Sequence, residues 1–244
     1  MKVAVILPAA GLGTRMGRPS AEKTGTSRKQ FMLLDGAPIL VHAARKFAAS
    51  PRVGQIVVAV RSEDVEWVAG MLAREIRGKT VRVVEGGNTR QQSVENALRA
   101  LDEDTTLVAV HDAVRPFIDL DTIEKVIDEA ALTGAAIVGI VPVDTVKQVT
   151  RAQTNKAKVR ATLPREKLVL AQTPQVFRYD LLKRAFAAAQ NDGFIGTDES
   201  SLMERLEVEV SVVLGNDRNI KITKPSDMDL ARLFLEEETA PREL

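Results

Sequence analysis

The sequence predicts an α/β fold on a doubly wound, mostly parallel sheet, and three observations carry that prediction. Short apolar runs rich in β-branched residues recur at 3–7, 55–60, 81–84, 106–110, 136–141 and 208–213, with helical patterns between most of them. A glycine-rich turn leaves the first run, on the side of such a sheet where ligands bind. One polar stretch, about 144–165, breaks the rhythm and reads as a hairpin arm. Together they describe a Rossmann-like single domain over 1–244 with a protruding arm, since 244 residues leave little room for a second full domain.

Each element has its reason. Run 3–7 is uninterruptedly apolar and stops at Pro8, as a strand covered on both faces should. A helix over 39–49 opens behind Pro38, whose fixed φ suits a first turn. Helices follow at 62–77, 89–101, 120–132, 178–189, 199–206 and 227–235. In the arm, Val146, Gln148 and Thr150 alternate before a polar tip at 150–158. An isolated hairpin is marginal in water, and pairing with the same arm of a second copy protects its edges, so a two-fold homodimer is expected.

Composition narrows the function. Lys plus Arg number 34 against 33 for Asp plus Glu, so no global field favours nucleic acid, and any anion site is built locally. The absence of cysteine excludes disulfides, thiolate metal sites and a thiol nucleophile. No signal-type segment and no membrane-spanning apolar stretch appear, so a cytoplasmic protein without membrane or nucleic-acid partners is expected.

The polar groups gather where strands end. In Pro8–Gly17 the glycines free backbone N–H groups to face an anion and Arg15 adds charge, while Lys29-Gln30 follows before an apolar run. The spacing GxGxxxG departs from the dinucleotide fingerprint, and no GKS or GKT is present. After 81–84, the turn Gly86-Gly87-Asn88-Thr89 can present amides and the Ser93 hydroxyl to a base, or simply cap a helix through Asn88 or Thr89. After 106–110, Asp112 can hold Mg²⁺ or a sugar hydroxyl and Arg115 can fork onto a phosphate, unless the two merely pair with each other. His111, His42, Trp67 and Tyr179 read as packing residues. Thr197 or Asp198 caps the helix that follows it, and Lys221 stands between two isoleucines in a strand-like stretch, awkward for a cation without an anion nearby.

PAAGLGTRMG (8–17), KQF (29–31), GGNTRQQSV (86–94), HDAVRPF (111–117), DTVK (144–147), AQTPQVF (171–177), TDESSLME (197–204) and NIKITKP (219–225) together resemble one family. It is that of the 2-C-methyl-D-erythritol 4-phosphate cytidylyltransferases of isoprenoid-precursor synthesis, and the resemblance runs from residue 3 to about 235. It implies that CTP lies over the first loop, its base among Ala9, Ala10, Gly87, Asn88 and Ser93 and its ribose near Gly11, Asp112 and Ala113. Arg15, Lys29 and Lys221 match the family's catalytic cations. Asp112, Arg115 and Thr197 match its sugar-phosphate contacts, with Thr145 and Arg165 supplied by the arm of a partner subunit. Mg²⁺ or another divalent cation is expected mainly on the CTP phosphates, with no certain protein ligand.

Three features depart from the family pattern. The spacer between Arg15 and Lys29 is longer than usual, Arg28 stands where a proline is common, and Asn88 stands where many members carry aspartate. A cytidylyltransferase for another polyol phosphate, such as ribitol 5-phosphate, would keep the same CTP loops. A non-catalytic nucleotide-binding dimer is opposed by the coexistence of Arg15, Lys29 and Lys221, and a dinucleotide-dependent reductase by Pro8 and the off-register glycines.

Overall fold

The computed structural model describes residues 1–11, 28–150 and 157–239; Arg15, and Lys23 in the same long spacer, lie outside them. The chain opens with β1 (Val3–Pro8) and, after a single helical turn at Lys29–Phe31, forms the small hairpin β2 (Leu33–Leu34) and β3 (Ala37–Pro38). Its turn is Asp35-Gly36, both at positive φ, the pair that a two-residue hairpin of matching twist requires. There follow α1 (Ile39–Ala48), β4 (Val53–Val60), α2 (Val65–Glu75), β5 (Thr80–Glu85), α3 (Arg90–Leu98) and β6 (Leu107–Val110). Then come α4 (Leu120–Thr133), β7 (Ala135–Ile140) and the arm strands β8 (Lys147–Thr150) and β9 (Lys158–Thr162). β10 (Leu170–Arg178), α5 (Tyr179–Asn191), α6 (Glu199–Arg205), β11 (Ser211–Leu214) and α7 (Pro225–Thr239) complete the described elements.

Seven of the described strands form one sheet in the order β11-β7-β10-β6-β1-β4-β5, while β2–β3 and β8–β9 pair as separate hairpins. β1 pairs in parallel with β4 and β6, β4 with β5, and β7 with β11, whereas β10 runs antiparallel between β6 and β7. The fold is thus the doubly wound, mostly parallel sheet that the alternation of patterns predicts. Alternation along β1 shows why both faces must be covered. Val3, Val5 and Leu7 pack on one side with Phe47 of α1, Leu72 of α2 and Ile127 of α4, while Ala4 and Ile6 pack on the other with Val94 of α3 and Phe186 of α5. Burying one such side chain contributes about 1.5–3 kcal/mol, which explains why the strand tolerates no polar position.

Three expectations need correction. β10 covers a stretch, 171–177, to which the sequence pattern assigns neither strand nor helix, yet it is a central strand. Pro174 within it cannot donate to the ladder, and the pairing with β7 shifts register between Ala171 and Gln175, so no period of two survives for a reader of the sequence. The last run is shorter than expected: 208–210 are irregular and only Ser211–Leu214 pair. Lys221 lies in irregular chain rather than a strand, held by the Ile222 N–H donating to the Val114 carbonyl at 2.9 Å.

A third apolar cluster lies outside the sheet. Met228, Ala231 and Phe234 of α7 meet Leu34 of β2, Val114 and Phe117 after β6, and Ile222. One helix therefore backs three loops that begin and end around the site described next.

Candidate active site

The C-terminal ends of β1, β4, β5 and β6 open into a cavity of about 480 Å³. Its lining includes Ala9, Ala10, Gly11, Lys29, Gly87, Asn88, Ser93, Asp112, Ala113 and Lys221, so the residues singled out in four separate loops converge on one space. The Gly86-Gly87 turn is built without side chains for a reason. A Cβ on Gly86 would stand 2.7 Å from the Ala10 Cβ, and one on Gly87 would stand 2.3 Å from the Gln92 Cβ. Thr89 is the helix cap of the two candidates: its side chain accepts from Gln92 N–H, and Gln92 Oε1 accepts in return from Thr89 N–H. Asn88 is left facing the cavity. The Ser93 hydroxyl accepts from Gly87 N–H at 3.0 Å and donates to the Thr89 carbonyl at 2.9 Å, so it also shapes the turn.

A second cavity of about 200 Å³ adjoins the first, lined by Arg115, Thr197, Gln172 and Gln175 among others, and it shares Arg90, Asp112 and Lys221 with its neighbour. Asp198, not Thr197, caps α6, accepting from Ser201 N–H at 3.1 Å, which leaves Thr197 in the cavity wall. Lys221 Nζ lies 2.8 Å from Asp112 Oδ2, and Arg90 Nε and Arg115 Nε each lie 3.4 Å from that carboxylate. Burial alone would raise the Asp112 pKa, but these three cations hold it well below the usual carboxylate range. Arg115 is thus both the ion-pair partner of Asp112 and a wall of the second cavity.

Arg90 and Glu199 escaped the sequence reading, although both stand inside quoted motifs. Arg90 Nη1 donates to both Glu199 oxygens, at 2.7 and 2.9 Å, joining the base-side turn to the start of α6. Burial opposes charge on Arg90, yet Glu199 and Asp112 raise its pKa, while burial pushes the Glu199 carboxyl up. No local signal separates such a pair from two surface charges, because its partners are 109 residues apart. Gln30 belongs to the site as well: its Nε2 donates to the carbonyls of Ala9, at 2.6 Å, and Gly11, at 3.1 Å, contacts that no sequence pattern marks.

His111 is a buried connector, as its place beside a strand suggests. Nε2–H donates to the Arg115 carbonyl at 2.9 Å, which leaves Nδ1 to accept from the Thr173 hydroxyl at 3.1 Å. That hydroxyl in turn accepts from Asp112 N–H at 3.0 Å, so a neutral imidazole orients the Asp112 loop. Burial lowers the His111 pKa to about 4.

Thr145 and Arg165 line neither cavity of their own chain. They sit at the base of the β8–β9 arm, where Arg165 Nη1 donates to the Val143 carbonyl at 2.5 Å. The arm's strands are almost wholly exposed, with Val143 before them and Val159 within β9 both bare. Among the described residues, no group of three or more His, Cys, Asp or Glu side chains is placed to hold a metal ion. Asp112 is the carboxylate that both cavities share, and Mg²⁺ commonly takes one or two carboxylates alongside substrate phosphates; the residues therefore fit an ion carried in on a nucleotide rather than an all-protein cage.

Comparison with known proteins gives one answer. The family model described as IspD: 2-C-methyl-D-erythritol 4-phosphate cytidylyltransferase matches residues 3–237. A protein of that name from Solibacter usitatus is 73% identical over 240 residues, covering 98% of each chain. Another from Acidobacterium capsulatum is 49% identical over 241 residues, covering 98% of this chain and 100% of the relative. Among solved structures, the 4-diphosphocytidyl-2C-methyl-D-erythritol synthase of Anaerococcus prevotii superposes with a TM-score of 0.81 at 28% identity, over 96% of both chains. The 2-C-methyl-D-erythritol 4-phosphate cytidylyltransferase of Thermus thermophilus gives 0.75 at 31% identity, over 96% of this chain and 98% of the other.

Proposed function

The chain belongs to the 2-C-methyl-D-erythritol 4-phosphate cytidylyltransferase family, and from that premise we propose how its residues move a cytidylyl group. It is a nucleotidyltransferase that transfers CMP from CTP to 2-C-methyl-D-erythritol 4-phosphate, forming 4-diphosphocytidyl-2-C-methyl-D-erythritol. The observation that carries the residue assignment is the pair of cavities meeting at Arg90, Asp112 and Lys221, one walled by the glycine turns and the other by Arg115 and Thr197. CTP occupies the larger, its base against Ala9, Ala10, Gly87, Asn88 and Ser93 and its ribose by Gly11, Asp112 and Ala113. The acceptor's phosphate occupies the smaller.

A phosphate oxygen of the acceptor attacks the α-phosphorus of CTP in line. The bond from that phosphorus to the bridging oxygen breaks, and its electron pair leaves with pyrophosphate. The nucleophile is already an anion, so no general base is needed and the chain's task is positioning and charge. Lys29 faces the triphosphate and Arg15, by its match to the family's cation, serves the same phosphates, while Lys221, steered by Asp112, serves the α-phosphate and the incoming oxygen. A bound Mg²⁺ would neutralise charge on the CTP phosphates.

The arm completes the site in a homodimer on this reading. Thr145 and Arg165 are absent from their own chain's cavities, and an exposed hairpin flanked by bare valines suits a second copy. A cytoplasmic location is supported by the lack of cysteine and by the absence, among the described residues, of a helix long and apolar enough to cross a membrane.

Pyrophosphate release, measured for CTP, UTP, ATP and GTP against a panel of sugar phosphates with and without Mg²⁺, tests the proposal. Turnover is expected with CTP, 2-C-methyl-D-erythritol 4-phosphate and the metal together. Preference for ribitol 5-phosphate would reassign the acceptor, and equal use of UTP would remove the base-reading role of Gly87–Ser93.

A further inference from the structure

We propose that Asp64, acting through the guanidinium of Arg28, positions Lys29 at the nucleotide phosphates. The proposal rests on the cytidylyltransferase reading above and adds a positioning residue to it. Asp64 closes a helical turn at Ser62–Asp64, directly after β4, and its side chain is 2% exposed. Its Oδ2 pairs with Arg28 Nη1, while Oδ1 accepts from Arg28 Nη2 at 3.3 Å and from Trp67 Nε1–H at 3.1 Å. Arg28 itself is only 14% exposed, donates also to Glu63 Oε1 at 3.1 Å, and lies 6.0 Å above the Phe31 ring. Phe31 meets Trp67 edge-on at 4.8 Å.

Arg28, Gln30 and Phe31 are each held by these contacts, and Lys29, in the same turn, lines the nucleotide cavity beside Gln30. A two-point fork between guanidinium and carboxylate fixes orientation as well as distance, which a single contact does not. Burying such a pair brings little net stability over an apolar pair of similar volume. Its place directly before a phosphate-facing cation points to geometry as its use. Glu63 extends the platform, holding Arg61 Nε at 2.7 Å, and Arg61 also lines the nucleotide cavity.

The test is a double-mutant cycle with Lys29. Asp64→Asn should lower kcat about tenfold and leave the acceptor KM unchanged, whereas in a Lys29→Ala background the same change should alter kcat by less than about twofold, because a residue acting through Lys29 has nothing left to position. Arg28→Gln should reproduce the Asp64→Asn loss, the two together should be no worse than either alone, and Arg28→Lys should recover part of it. Circular dichroism establishes that each variant is folded, and if Asp64→Asn is not, the cycle is run with Arg28→Lys. Losses that multiply with Lys29→Ala, or a folded Asp64→Asn of full activity, overturn the proposal. A wild-type enzyme that releases no pyrophosphate from CTP would instead overturn the underlying reading.

Discussion

Asp112 has three cations within 3.4 Å and Lys29 faces the same cavity, so the chemistry of the site is an arrangement of charge whose members can be removed one at a time. Lys29→Ala and Arg15→Ala should each lower kcat at least about a hundredfold while the thermal midpoint holds, since both act on developing charge rather than in a core. Lys23→Ala should do far less; steady-state kinetics on the three variants would expose a misplaced register if Lys23 proved the crippling change. His111 makes a different prediction. Its pKa is about 4 in the folded chain against 6.5 ordinarily, so between these values the unfolded chain binds the extra proton and stability falls as the pH is lowered. The loss reaches about 3 kcal/mol near pH 4, and urea unfolding across that window should show His111→Gln losing one proton's share of the slope. Asp112 and Arg115 were legible because they follow an apolar run, Lys29 because it precedes one, and Lys221 because it stands between two isoleucines. Arg90 and Glu199 were not, since their meaning lies in a pairing that only the folded chain brings about.

The glycine turn before α3 illustrates what an element adds. Gly86 and Gly87 are required by the closeness of Ala10 and Gln92, so Gly87→Ala should displace the turn, raising KM for CTP about tenfold or more while leaving acceptor KM near its original value in initial-rate assays. Elements with one clear signal were readable: β1 and β4 follow from apolar runs and α1 from the proline before it. Those whose logic is not periodic were missed. β10 contains a proline and a register shift, and its place between β6 and β7 comes from tertiary pairing. The β2–β3 hairpin did carry a signal, Asp35-Gly36, but flanking strands of two residues are too short for alternation to show.

For the whole molecule, the arm poses the sharpest question, because Thr145 and Arg165 belong to the proposed acceptor site yet lie outside their own chain's cavities. Mixing an Arg165→Ala chain with a Lys29→Ala chain, each severely impaired, should raise activity far above either parent, up to one working site in each heterodimer, since one site then holds both intact residues. Mass spectrometry would verify the heterodimers and pyrophosphate release would score them; a mixture no more active than its parents would assign the site to a single chain. The two-faced sheet was legible in outline from the alternation of runs, but the joining of two cavities at Asp112 required the folded order of strands.

The apolar cluster under α7 bears on when the enzyme begins to work. Met228, Ala231 and Phe234 are translated after every strand of the sheet, yet they back the loops that carry Lys29, Arg115 and Lys221. A nascent chain with its sheet already assembled would still lack the support that brings those loops together. Competence is therefore gained late, after the scaffold, and a released chain ending before residue 225 is expected to keep its sheet by circular dichroism while losing most of its pyrophosphate release.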